Sequence, residues 1–282
     1  MKILITGANG QLAREFIKQL SNTNHTLLAL SKAELDISDL GKTIAVVTGF
    51  KPDIIINCAA YNFVDDAEKY PALAYKTNAI GVKNLAYTAA ILNSYLVHYS
   101  TDYVFNGNKQ DGLYTEDDHT QPVNEYGKSK LLGEKCILEE NLKKFLILRV
   151  SWVYGEGKQN FLSKLLAWSQ TQENLKVAVD EFSVPTSTRT ITEVTLKAFD
   201  AGLTGIYHLV NTDFASRYEW AREFFKLKGI NKFIAPAYNT DFNLPAKRPK
   251  FSAMTNEKIN KQLSITIPDW REEMRRIISG VI

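Results

Sequence analysis

The sequence predicts an α/β fold: a doubly wound parallel sheet with helices on both faces, joined to a smaller, discontinuous C-terminal domain. Three observations predict it. Short β-branched apolar runs alternate with stretches of helical periodicity as far as Val150. The run Ile54, Ile55, Ile56 is continuously apolar rather than alternating, as a parallel strand covered on both faces requires. A glycine-rich turn lies directly between the first strand and the first helix, where right-handed βαβ units place their ligand-binding loops.

Taken in order, residues 3–6 read as a strand and 11–20 as a helix with Leu12, Phe16, Ile17 and Leu20 on one face. A strand at 26–30, a helix at 40–50 and the buried strand 54–57 follow, then a long helix at 71–92. Strand 95–100, helix 128–141 and strand 145–150 complete the regular part. Beyond Val150 the pattern loosens into a helix at 160–171, a short strand at 177–179 and a helix at 191–201. Residues 205–210 are apolar enough to rejoin the sheet, and helices at 218–228, 256–262 and 269–278 flank a Pro-containing loop at 244–249. The expected division is residues 1–150 plus about 190–211 in a dinucleotide-binding domain, with 151–189 and 212–282 in a substrate-binding domain.

Composition narrows the function. A chain of 282 residues, 45% hydrophobic and 23% charged, can bury a sizeable core, which excludes global disorder. A net charge of +3 is too small and dispersed for nucleic acid, and the basic cluster at 247–250 reads as a solvated loop. Cys58 and Cys136 lie far apart and form no metal-type pair, so no metal is expected and a reducing cytoplasm fits. The apolar start at residues 3–6 is too short for a signal segment, and no apolar run approaches bilayer length, so no membrane partner is expected.

The turn at 7–13 (GANGQLA) makes the fold Rossmann-like: Gly7 permits a tight turn, and Gly10 lets a pyrophosphate approach the backbone at a helix start. A bare glycine turn without ligand is the alternative. The second strand ends Leu30, Ser31, Lys32 with no carboxylate to bind ribose hydroxyls, which favours NADPH, with NADH as the second choice. Lys32 as a plain surface lysine is equally compatible. Asp36 and Ile37 can reach the adenine edge.

Tyr126 and Lys130 stand four residues apart on one helical face. A phenol titrates at about pH 10, and a neighbouring ammonium lowers that value, so Tyr126 can protonate the alkoxide formed when hydride reaches a ketone. Spacing alone suits a surface helix pair as well. The setting reverses the balance: Ser100 and Thr101 end the fourth predicted strand on the same crevice, where a hydroxyl can orient a substrate carbonyl, and Ala59 and Ala60 end the third with room for a cofactor.

With these residues the sequence resembles the extended short-chain dehydrogenase/reductase superfamily. The finer strings are similar to the dTDP-4-dehydrorhamnose reductase family. They are GANGQLA, AAYNFVDDAE from Ala59, HYSTDYVFNG from His98 and NEYGKSKLLGEK from Asn124. They continue with LRVSWVYG from Leu148, FSVPTS from Phe182, GIYHLVN from Gly205 and LPAKRPKFSAM from Leu244. The resemblance implies a catalytic set of Thr101, Tyr126 and Lys130. It implies cofactor contacts from Gly7, Gly10, Gln11, Leu12, Asp36, Ile37, Ala59, Ala60 and Tyr61, with Tyr126 and Lys130 shared. It implies substrate contacts from Thr101, Asp102 and Trp152, and also from Asn62 and Arg248. An aromatic face at Trp152 suits a deoxysugar or base, a core tryptophan being the alternative. Arg248 suits a diphosphate, a solvated loop arginine being the alternative.

Ala13 replaces the usual glycine, and Asn62 stands where some relatives carry threonine. Residues 185–189 offer no acid for the carboxylate–magnesium site through which some members dimerise, so no metal carries over and the chain is expected as a monomer or homodimer. The implied activity is NAD(P)H-dependent reduction of a nucleotide-linked 4-keto-6-deoxyhexose in cell-surface polysaccharide synthesis. Two alternatives stand beside it: a nucleotide-sugar epimerase or dehydratase using the same Tyr and Lys, and a non-catalytic regulatory subunit on the same fold.

Overall fold

The computed structural model describes residues 1–280. Five parallel strands appear in the expected places: β1 Lys2–Thr6, β2 Thr26–Leu30, β3 Ile54–Asn57, β4 Tyr95–Thr101 and β5 Phe145–Val150. The helices between them are α1 Gln11–Leu20, α2 Leu40–Phe50, α3 Val64–Lys69, α4 Pro71–Tyr75, α5 Gly81–Leu92 and α6 Glu125–Glu139. Then come β6 Val153–Tyr154, α7 Phe161–Thr171, β7 Leu175–Ala178, β8 Phe182–Ser183, β9 Thr186–Ser187 and α8 Thr188–Asp200. The chain ends with β10 Gly205–His208, β11 Ala215–Ser216, α9 Arg217–Lys228, β12 Ile234–Ala237, α10 Glu257–Leu263 and α11 Trp270–Ser279.

The central sheet is parallel throughout, in the order β10-β5-β4-β3-β1-β2. Residues 205–210 do rejoin it, as the edge strand β10 beside β5. Strand order reverses between β1 and β3, and in open α/β sheets that reversal opens the crevice where ligands bind.

Each strand feeds two cores, because successive side chains alternate across the sheet. Ile3, Ile5, Ile54, Ile56, Val97 and Leu148 face Phe16 of α1 and Ile191 and Val194 of α8. Leu4, Ile55, Leu96 and Ile147 face Val82, Leu85 and Ala89 of α5 and Ile137 of α6. This double coverage is why β3 reads as an unbroken apolar run. A separate core gathers Trp152, Leu165, Val177, Trp220, Phe224, Trp270 and Met274 around the small parallel pair β7 and β12.

The expected helix at 71–92 contains a π-helical turn, Lys76–Ile80, between α4 and α5. It turns the Asn78 carbonyl towards α6, where a Cβ on Gly133 would lie 2.2 Å from that oxygen. Only glycine lets α6 come so close. The catalytic-candidate helix also starts earlier than residue 128, because Asn124 caps it: its Oδ1 accepts from the Gly127 amide at 2.8 Å.

Candidate active site

The crevice is built from strand ends. Thr6 Oγ1 donates to Asn57 Oδ1 at 2.7 Å, and Asn57 Nδ2 bonds His98 Nδ1 at 3.1 Å, tying β1, β3 and β4 together in a buried polar layer. Asn57 donates, so the imidazole proton belongs on Nε2. Burial, with the Lys130 charge nearby, pushes His98 well below its ordinary value and keeps it neutral.

The glycine turn fits a dinucleotide. Gly7 has φ +68, and a Cβ there would sit 2.8 Å from Ala59 Cα, so glycine is required both for the turn and for its approach to the end of β3. Gly10 precedes α1 without any side-chain cap, leaving the first-turn amides of Gln11, Leu12 and Ala13 for an anion. Gln11 has its backbone amide to offer such a group, its side chain being engaged elsewhere. Its Nε2 donates to the Val153 carbonyl at 3.1 Å, and its Oε1 accepts from Asn160 at 3.3 Å.

Ala59, which opens the stretch continuing through Ala60 and Tyr61, lies against the glycine turn. Asn78 fixes this stretch, accepting from the Tyr61 amide at 2.8 Å and donating to the Tyr61 carbonyl at 3.0 Å. Asp36 is partly exposed, and a bond from Ser38 Oγ at 2.7 Å, ahead of an opposing effect of burial, holds its carboxyl below the ordinary value. Ile37 departs from expectation. Its side chain is 2% exposed and packs where a Cβ on Gly81 would fall, so only its backbone neighbourhood can meet adenine.

The end of β4 and the start of α6 bring Thr101 and Tyr126 together. A 3₁₀ turn, Asp102–Val104, follows Thr101, whose Oγ1 accepts from the Tyr103 amide at 3.1 Å. A Cβ on Gly127 would lie 2.3 Å from the Tyr103 carbonyl, so the glycine after Tyr126 lets the helix start seat on this turn. Burial pushes the Tyr126 phenol above its ordinary range; Thr101 partly offsets this and the Asp102 charge adds to it. Tyr126 is therefore a protonated acid at neutral pH.

Lys130 is buried and donates to the Tyr99 carbonyl. Burial pushes its ammonium down to about 8, with Glu134 acting in the opposite direction. This differs from the expected lowering of Tyr126 by its neighbour. The ammonium is itself costly to bury, it points at a carbonyl, and the phenol loses more by desolvation than it gains. Glu134 is held by Arg149 on β5 in a buried two-point pair at 3.0 and 2.8 Å.

The substrate candidates are more entangled. Asp102 is buried; its Oδ2 accepts from Ser252 Oγ at 2.6 Å and Ser183 Oγ at 2.8 Å, and its Oδ1 accepts from Thr101 Oγ1 at 3.1 Å. Burial raises its pKa to about 6 against the pull of these bonds. Asn62 is exposed. Arg248 is not a free loop cation: its Nη1 and Nη2 donate to Asp65 Oδ1 and Oδ2 at 3.0 and 2.7 Å.

Trp152 does not offer the open platform expected of it. Its ring is 8% exposed, stacks on Trp220 at 5.4 Å, and has the Arg217 guanidinium 3.7 Å from its centroid. Its φ of 39 lies in the left-handed region, which a bulky residue occupies only where its surroundings enforce it. Sequence reasoning missed Asn78, Glu181, Ser183, Arg217 and Ser252. Arg217 pairs with Glu181 at 3.2 Å, and Tyr103 Oη donates to the same carboxylate at 3.2 Å.

A family model described as the RmlD substrate binding domain matches residues 1–281. The spore coat polysaccharide biosynthesis protein SpsK of Bacillus subtilis is 36% identical over 277 residues, covering 98% of this chain and 96% of its own. A dTDP-4-dehydrorhamnose reductase from Clostridium acetobutylicum superposes with a TM-score of 0.95 at 39% identity, covering 100% of this chain and 99% of that one. The enzyme of the same name from Bacillus anthracis, solved in complex with NADP, gives 0.95 at 34% identity, with 99% of each chain covered. On this end-to-end match the chain belongs to the dTDP-4-dehydrorhamnose reductase family.

Proposed function

We propose that this protein reduces the C4 ketone of dTDP-4-dehydro-6-deoxy-L-mannose to dTDP-L-rhamnose with NADPH, NADH serving as the second choice, for cell-surface polysaccharide synthesis in the cytoplasm. One observation carries the reading: Thr101 at the end of β4 adjoins Tyr126 at the start of α6, with Lys130 one turn further along that helix and an uncapped glycine turn at the end of β1, in a chain matched over nearly its whole length by dTDP-4-dehydrorhamnose reductases. No described helix is long and apolar enough to cross a membrane. That match favours net reduction over the epimerase, dehydratase and non-catalytic alternatives.

The nicotinamide cofactor supplies the hydride when bound. Tyr126 gives its phenolic proton to the oxygen that was the C4 carbonyl, so one C–H and one O–H bond form as the C=O π bond breaks. Lys130, one helical turn on from Tyr126, stays largely protonated at neutral pH with its ammonium held down to about 8, and would have to leave the Tyr99 carbonyl to steady the resulting phenolate or to meet ribose hydroxyls. Thr101 orients the carbonyl, its hydroxyl turning from Asp102 to do so. Residues 1–150 with about 190–211 would hold the cofactor, and 151–189 with 212–282 the sugar nucleotide; the separate core around Trp220 supports this division. No group of three or more His, Cys, Asp or Glu side chains among the described residues is arranged to hold a metal ion. The reaction as written needs none.

The test is a substrate screen across dTDP-, UDP- and GDP-4-keto sugars with either cofactor, followed by product identification. NADPH oxidation only with the dTDP-4-keto sugar, yielding dTDP-L-rhamnose, is expected. No turnover of that substrate with either cofactor overturns the reading.

A further inference from the structure

The second strand ends without a carboxylate in the sequence, yet the fold puts one there. Glu34, four residues past Leu30, folds back so that its Oε2 accepts from the Ser31 amide at 2.8 Å and from Ser31 Oγ at 2.7 Å. Ser31 lies directly beside the glycine turn, because the Ala8 amide donates to the Leu30 carbonyl at 3.0 Å. In dinucleotide folds this is the place that faces the adenosine ribose. Glu34 is exposed, and the bonds from Ser31 hold its carboxyl below the ordinary value, so it is ionised at any working pH.

Two consequences follow for a ribose 2′ substituent. A hydroxyl can donate to the Glu34 carboxylate, which still has a vacant oxygen. A 2′-phosphate meets a like charge, and the two Ser31 donors it needs are already engaged. The cations that suit a phosphate are also present: Lys32 is exposed, and Lys42 Nζ lies 3.5 Å from the Ala33 carbonyl, near enough to act on the Glu34 charge.

We propose that Glu34 is the residue that limits the preference for NADPH: it admits NADH as it stands and weakens, without abolishing, the binding of NADPH, whose 2′-phosphate takes the Ser31 donors as the carboxylate swings away. This rests on the nicotinamide reading but not on the identity of the sugar. NADPH remains usable, because the turn is at the surface and the displaced carboxylate can swing into solvent.

Direct binding tests this without any sugar. NADH and NADPH are titrated by cofactor fluorescence against the wild type, Glu34→Gln and Glu34→Ala, with circular dichroism to confirm the fold. Glu34→Gln keeps a hydrogen-bond acceptor for Ser31 and removes only the charge. Both variants are expected to tighten NADPH by about tenfold, as removal of one like charge near a phosphate at the surface implies. NADH should weaken or stay the same, and adenosine 2′,5′-bisphosphate should compete better against the variants than against the wild type. An NADPH/NADH ratio unchanged in both folded variants overturns the role of Glu34 alone. Failure of the wild type to bind either cofactor overturns the nicotinamide reading and this role with it.

Discussion

The two sides of the crevice are organised in opposite ways. On the cofactor side, strand ends in fixed register present short side chains and open backbone donors: Thr6 pairs with Asn57, Asn57 lies opposite His98, and the first turn of α1 is uncapped. On the side proposed to hold the sugar, charged groups from distant parts of the chain have already found each other: Asp65 with Arg248, Glu181 with Arg217, and Asp102 with two serines. A ligand at the uncapped turn on the first side completes bonds that are missing. A ligand on the second must exchange with partners already in place, and that side is where selectivity between substrates can be set.

The sharpest way to break this comparison is at the point where the two sides meet. Tyr126→Phe removes the proton donor and leaves the ring that sits 6.0 Å from Tyr103. A drop in kcat of about 10²–10⁴ is expected, the usual worth of a positioned general acid. NADPH affinity by direct titration should stay within about twofold, since the phosphate-binding turn is untouched. Equal loss of binding and turnover would mean that Tyr126 is part of the cofactor wall rather than the acid.

The same contrast governs what the sequence reveals. The cofactor side is legible because its determinants are local: Gly7 to Ala13 between strand and helix, Tyr126 and Lys130 one helical turn apart, Ala59 and Ala60 closing a buried strand. Even there, local reading stops at features made by chain reversal. Glu34 reaches Ser31 through a turn rather than lying on β2, and the π-helical turn at Asn78 is invisible in the apolar periodicity of 71–92. Asn124 did carry a signal, an N-cap ahead of Tyr126, which moves the helix start to Glu125.

The sugar side is not legible. The partner of Arg248 lies 183 residues away in the chain, and the burial of Trp152 depends on Trp220 and Arg217, which no spacing connects to it.

Asp102 tests how costly the sugar side's closed network is. Its pKa of about 6 lies above the ordinary carboxylate value of 3.8, so the native state holds this proton more tightly than the unfolded chain. The sign follows from linkage: the group favours folding most below the ordinary value, and that advantage is lost as pH rises through about 6. At about 1.4 kcal/mol per unit, the loss is about 3 kcal/mol. Urea unfolding of the wild type between pH 4 and 7 should show this falling contribution, and Asp102→Asn should flatten it. A wild-type profile already matching that of Asp102→Asn would mean that the serine bonds fully offset the burial.

The smallest expected effect separates exchange from bracing at Arg248. Its fork holds Asp65 at two points. Burial acts upward on the Asp65 carboxyl, but the guanidinium and the Ala246 amide hold it below the ordinary value, so the pair is charged at neutral pH. Arg248→Ala is expected to raise the KM for the sugar nucleotide by about tenfold, the scale of one charge-assisted contact, without changing NADPH affinity. Asp65→Asn keeps the shape and removes the competing charge. If a diphosphate takes the guanidinium from Asp65, this variant lowers KM by a few-fold, because the arginine no longer has to leave a carboxylate. If the pair only braces the loop at 244–249, both variants raise KM together and lower Tm together. Opposite signs in the two KM changes can arise only when ligand and Asp65 compete for the same cation.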